Sequence, residues 1–334
     1  MLPEIIYNVT VYCDRKSKYQ CALVSRRWNA NIKWRKSERQ CTFQWACRNA
    51  HIFVISRLLL DERVDPSASD NDAIRRASKN GHLDVVTRLL SDARVDPSAS
   101  DNDAIRGASQ CGHLGVVERL LLDERVDSSA SENEAIRFAS QQGHLCVVDR
   151  LLSDERVDPS AYDNYAIRWA SEHGHLGVVD RLLSDERVDP SASENEAICW
   201  ASLRGHLDVV ERLLIEHRVD PSGLNNHAIR WASEHGHLGV VKRLLSDERV
   251  DPSANDNDAI RWASHYGHLG VVERLLLDER VDPSLSENEA IRWASKNGHL
   301  GVVDRLLSDE RVDPSARDDY AIRYASENGH LGVG

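Results

Sequence analysis

Along most of this chain the apolar positions fall into two helical stripes that restart every 31 residues. In the unit that opens at Asp163, Ile167 and Ala170 share one stripe with Trp169 beside them, the spacing of a short amphipathic helix. Asn164 stands just ahead, where a polar side chain would cap it. Gly174 is predicted to end it, because a helix commonly closes on a left-handed residue just past its last turn. A second helix begins near His175, with Leu176, Val179 and the Leu182-Leu183 pair spaced to line one face. Val188-Asp189-Pro190-Ser191 must then turn out of it, since Pro190 has no backbone donor and holds Asp189 extended. The expected unit is helix, tight turn, helix, projecting loop.

The Gly-His pair recurs at Gly81, Gly112, Gly143, Gly174, Gly205, Gly236, Gly267, Gly298 and Gly329, always 31 residues apart, and one step earlier the register lands on Ala50-His51. A fixed period of this size means stacked supersecondary units. Each helix has only about ten residues, below the ~12–15 at which an isolated helix becomes marginal in water. Stability must come from stacking Leu, Val and Trp of one unit on the next, at ~25 cal/mol per Å² of apolar surface, which leaves the ends weaker than the middle. The sequence stops at Gly332-Val333-Gly334, part-way through a second helix, so residues 317–334 are expected to fray.

The most specific stretch, Ala-Ser-x-x-Gly-His-Leu-x-Val-Val-x-x-Leu-Leu as in Ala170 to Leu183, resembles the ankyrin repeat, and the likeness runs from roughly Gln40 to the end. The family's Thr-Pro-Leu-His opening reads Tyr165-Ala166-Ile167-Arg168 here, and the unit is two residues short of the usual length of about 33. The resemblance implies an all-α, ankyrin-type helical solenoid of about ten 31-residue repeats over residues 40–334, the last incomplete. Its helices are expected to be ankyrin-like and its finger-like turn shorter or less regular.

Composition narrows the setting. The seven cysteines have no paired spacing, which points to free thiols in a reducing compartment, cytoplasmic or nuclear. No apolar run approaches a membrane span, and Met1-Leu2-Pro3-Glu4 does not open like a signal peptide. Residues 1–50 carry a balance of +7, so residues 51–334 hold −19 against a whole-chain charge of −12. An acidic solenoid repels phosphate, which argues against nucleic acid as the ligand of the array.

Residues 1–39 differ in composition and read as two or three short helices. Pro3 suits a first helical turn and is followed by Ile5, Ile6 and Val9, while Cys21, Val24 and Trp28 form a second stripe. Leu2-Pro3, Asp14 with Ser17, and above all Leu23-Val24-Ser25-Arg26-Arg27-Trp28-Asn29 look like an F-box, the module that docks substrate receptors on the adaptor of cullin-RING ubiquitin ligases. The resemblance places Leu2, Pro3, Ile5, Ile6, Leu23 and Val24 on the adaptor-binding surface, although Cys13 stands where the family has Leu. The alternative is a helical cap over the first repeat, which every solenoid needs.

Comparing units within the chain separates constant from changing positions. The two residues before each glycine change most, as in Gln141-Gln142, Glu172-His173, Leu203-Arg204, Glu234-His235 and His265-Tyr266, and a second changing column includes Tyr165 and His227. In ankyrin proteins the matching positions face the groove that holds a partner, so these residues form the expected target-binding set. The aromatic column Trp45, Phe138, Trp169, Trp200, Trp231, Trp262, Trp293 and Tyr324 falls on what should be the buried stripe, and Arg76 and Gly107 interrupt it, so their repeats are expected to pack least well.

Other chemistry is not indicated. Glu172-His173-Gly174-His175 has no further ligand at metal spacing, Asp65 to Asp72 lacks the Gly and Glu of a calcium loop, and Asn8-Val9-Thr10 is a glycosylation sequon that only secretion would use. The expected protein has no catalytic residue, metal or cofactor, and is a monomer that bridges a target to the ligase adaptor inside a eukaryotic host cell. Near-identical repeats suggest recent duplication, as in large viruses. The competing expectation is a plain ankyrin scaffold or inhibitor.

Overall fold

A computed structural model describes residues 36–330. Among them every regular element is helical, from Lys36–Arg48 and Ile52–Leu58 at one end to Leu300–Leu307 and Ala316–Glu327 at the other. Each first helix packs on the first helices before and after it, each second helix on the second helices, and the two of a unit on each other. The result is a two-layer, all-α solenoid of the ankyrin type. Residues 1–35, with the expected adaptor-binding Leu2, Pro3, Ile5, Ile6, Leu23 and Val24, lie outside the described residues.

Between the layers the core repeats unit by unit. Ala166, Ile167 and Ala170 of the helix Ala161–Glu172 meet Val178, Val179 and Leu182 of Leu176–Leu183, all essentially inaccessible. Gly174 ends the first helix at φ +74°, as expected, and has a second reason to be glycine. A Cβ there would lie 2.5 Å from Nδ1 of His206 in the next unit. That imidazole is held in place because its Nε2 donates to the Glu172 carbonyl at 2.9 Å. The bond recurs along the stack, for example from His175 to Gln141 at 3.0 Å and from His237 to Leu203 at 2.9 Å. The Gly and His columns are therefore one contact seen from two units.

The loop departs from expectation. It is short but regular: Tyr162, Asp163 and Asn164 all adopt left-handed angles, with φ of 57°, 57° and 55°, and their counterparts in the neighbouring units do the same. A right-handed helix follows only from Tyr165. Such backbone costs a non-glycine residue roughly 1–2 kcal/mol and persists only where surroundings over-determine it. Three sets of bonds do so. The Asn164 amide donates to the Ser160 carbonyl at 2.8 Å, closing the turn. Arg168 reaches back to the Tyr162 carbonyl at 3.2 Å, and Arg137 to those of Ser131 and Glu132 at 3.0 and 2.9 Å. Asn164 does not cap the helix as expected: buried, its side-chain oxygen accepts from the Asp189 amide, 25 residues on, at 2.8 Å.

One further column locks adjacent loops. Arg187 forks onto Asp185 through Nε and Nη2 at 2.9 and 2.7 Å and donates from Nη1 to the Val157 carbonyl of the preceding unit at 2.9 Å. The guanidinium holds the Asp185 carboxyl below its usual range. Around Asp154 the Arg156 fork, joined by the Ser128 hydroxyl, holds the carboxyl at about 2. Bidentate, partly shielded forks of this kind are stronger than ordinary surface pairs.

Two outcomes are expected. Asn164→Ala leaves the buried Asp189 amide unsatisfied and removes a residue tolerant of left-handed angles, so it should cost about 1–3 kcal/mol in urea unfolding. Acid should loosen the array in two stages. Burial lowers the pKa of His175 and His237 below 6.5, and neighbouring ladder histidines add to it. The unfolded chain then takes protons first, so this contribution is complete above pH 6.5 and is lost as pH falls below it. The Asp forks hold until pH falls below 3.8. A thermal midpoint that stays flat from pH 7 to 5 would show these two histidines to be energetically silent.

Candidate functional site: the face of the first helices

The aromatic column is not buried as expected. The inward stripe consists of Ala, Ile and Ala at full burial, and such small residues bring successive first helices too close to admit an indole. The aromatic rings lie instead along the open edge of that stripe, half-buried and tilted across units, with Trp200 and Trp231 centroids 5.9 Å apart and Trp262 and Trp293 5.1 Å apart. Along a single helix Tyr165 stacks on Trp169 at 5.0 Å and Trp169 on His173 at 5.7 Å. His227 stacks on Trp231 at 4.5 Å. A cleft lined by Arg168, Trp169, Glu172, Glu196 and Trp200 opens on this face.

Gly107, expected to loosen its repeat, is buried, and the Lys79 stem lies 3.3 Å from where its Cβ would stand. The interruption thus pulls a neighbouring side chain over the gap and leaves a cleft beside it.

The residues expected to bind a target divide into three kinds. Gln142, His173, Arg204, His235 and Tyr266 are exposed, each at the last position before a glycine. Gln141, Glu172, Leu203, Glu234 and His265 sit deeper, and each lends its carbonyl to the histidine of the next unit, 34 residues later. The Glu172 side chain is buried and paired with Arg204 at 2.7 Å. Tyr165 and His227 are half-buried and belong to a row that faces the arginine column of the unit before, Tyr165 opposite Arg137 and His227 opposite Cys199.

Sequence marks that row only as changing; the sign that it is paired is the Ile-Arg column beside it. Arg75 meets Asp103 at 3.1 Å, Arg106 meets Glu134 at 2.7 Å, and Arg230 meets Asp258 at 2.7 Å. Arg168 pairs with Glu196 and Arg261 with Glu289 in the same way. Where the facing residue is aromatic, the guanidinium lies over the ring: Arg137 is 5.1 Å from Tyr165 and Arg292 is 5.1 Å from Tyr320. The arginine is absent at Cys199, whose counterpart is His227, and in the first described unit, where Gln44 holds the place and Arg48 meets Asp72 instead. Burial pushes the Cys199 thiol up to about 12, which makes it inert as a nucleophile.

The geometry offers exposed polar tips, half-buried aromatic rings and paired charges on one helical face, an arrangement suited to holding a partner. Among the described residues no helix is long and apolar enough to cross a membrane. The class of protein defined by this fold is an interaction scaffold built of stacked helical pairs. A family model for ankyrin repeats, in three copies, matches residues 167–258 and, overlapping, 229–318. Ankyrin repeats therefore make up that stretch, and the units ahead of it repeat the same inter-unit bonds at the same interval. Ankyrin repeats bind protein partners, so the chain carries a protein–protein interaction module. No curated protein matches the chain.

The missing arginine supplies a test. Cys199→Arg combined with His227→Glu should restore the charge pair and the bonds to the left-handed turn of residues 193–195, raising stability by about 1–2 kcal/mol in denaturant unfolding. Either change alone should give less than half of that, because the pair needs both members.

Proposed function

We propose that this protein is a substrate receptor of a cullin-RING ubiquitin ligase, which holds a target protein on the first-helix face and docks on the ligase adaptor through residues 1–39. The observation that carries the first half is the contrast across one helix face. Gln142, His173, Arg204, His235 and Tyr266 are exposed and differ from unit to unit, while the Ala, Ile and His residues behind them repeat. A constant frame with changing tips is what selection of one partner requires. The second half rests on Leu2-Pro3 and Leu23 to Asn29. The protein is then a bridge, and the ubiquitin chemistry belongs to other subunits. Its setting is the cytoplasm or nucleus of a eukaryotic cell, with a virus as the source of the gene.

A second reading, a plain scaffold or inhibitor whose N-terminal segment is a cap, draws support from the helix Lys36–Arg48. Its Arg39 pairs with Asp61 at 2.6 Å and its Gln40 donates to the Asp65 carbonyl at 2.7 Å, so this helix is integrated into the first unit.

Capture of the adaptor from host-cell extract separates the two. The wild-type chain should retain it and a Leu2→Ala, Pro3→Ala variant should not; wild-type protein that captures none ends the ligase reading. Under the scaffold reading, removing residues 1–38 lowers the thermal midpoint and leaves ubiquitination in cells unchanged. Target capture is tested separately with His235→Ala and Tyr266→Ala together. These exposed changes should shift stability by less than about 0.5 kcal/mol yet reduce target recovery.

A further inference from the structure

The first-helix face is not uniform in charge. Near one end, between the units that contain Arg76 and Gly107, a cleft of about 220 Å³ opens among Arg76, Lys79, Gly107, Gln110 and Phe138 and three carboxylates. Each of its three carboxylates already has arginine partners. Asp72 is held by Arg76 at 2.6 Å and Arg48 at 2.8 Å, Asp103 by Arg75 at 3.1 Å, and Glu134 by Arg106 at 2.7 Å. Arg76 contacts Asp72 through Nε alone, which leaves its two terminal nitrogens as donors. Lys79 has its stem against Gly107, and among the described residues its ammonium group has no partner. With Arg48 included, five cations surround three carboxylates in an array that is otherwise strongly acidic. The equivalent cleft between Trp169 and Trp200 has the opposite balance, Arg168 against Glu172 and Glu196.

We infer that this cleft is a receptor for a carboxylate side chain, the seat of an acidic residue in a protein segment bound along the first-helix face. The inference rests on the target-binding reading above and gives the partner its chemistry: a Glu or Asp over Lys79 and Arg76, backed by the Phe138 ring, with apolar side chains toward the tryptophan row. The two departures from the aromatic column make the seat. Gly107 removes the ring that would fill it, and Arg76 supplies cation in place of indole. The surrounding acidic surface repels a chain of many carboxylates, so a single acid among apolar residues fits best.

Amide spectra of the full chain, titrated with acetyl-Phe-Glu-Phe-amide and with acetyl-Phe-Gln-Phe-amide, test this without knowledge of the natural target. The Glu peptide should shift the Gly107 amide and the Gln110 side-chain amide and bind about fivefold tighter than the Gln peptide, the size of one partly exposed charge pair. Lys79→Glu should erase that preference while thermal unfolding stays unchanged, and Gly107→Trp, which refills the column, should block both peptides. Equal affinity of the two peptides, or shifts centred on the tryptophan row instead, overturns the inference. That result leaves the target-binding reading intact, since capture of a target through His235 and Tyr266 is scored independently.

Discussion

The structure depends on contact between successive units, because none of the described helices exceeds 13 residues, too short to stand by itself. Second helices such as Leu176–Leu183 have only 8 residues, and right-handed first helices begin only after a left-handed turn. Apolar burial at Ala166, Ile167, Val179 and Leu182 supplies most of the drive, but it is non-directional and would tolerate sliding of one unit over another. Register comes from polar bonds that cross between units: histidine to carbonyl, arginine to carbonyl, and asparagine to amide. Each is buried or half-buried, so a slipped register would strand its donor or acceptor away from water.

The same bonds explain the sequence economy of the repeat. Arg187 serves its own loop through Asp185 and the previous unit through the Val157 carbonyl, and Arg168 closes its own left-handed turn while pairing with Glu196 of the next. Side chains with two duties cannot drift freely. This accounts for the near-constancy of the Asp-x-Arg-Val-Asp loop, broken only at Glu216 among these units, and for the way the facing row changes only to residues an arginine can meet, acidic or aromatic, except opposite Cys199. Residues outside these bonds, such as His173 and Tyr266, are free to differ, and the variation accumulates on one helix face.

A solenoid tied together this way binds by shape and surface charge. Its paired interior charges contribute little net field, so what an approaching partner meets is the exposed tips, the edges of the tryptophan rings and the local imbalance near Lys79. The acidic remainder discourages polyanions and steers cationic or mixed segments toward the face.

Periodicity alone determined the helical pairs, the glycine stop, the 31-residue unit and the stacked architecture, because those follow from local spacing and from helices too short to exist apart. It also located the exposed tips, since solvent is where neutral change is cheapest. Three things were decided only by the tertiary structure. The tryptophans moved from the expected core to its edge because Ala-Ile-Ala packs the first helices too tightly for an indole. Asn164 gave up a helix cap for an amide 25 residues away, a partner no local pattern reveals. The left-handed turn exists only because arginine, asparagine and the neighbouring loop together offset its strain, and contacts between units are invisible until the chain has been stacked upon itself.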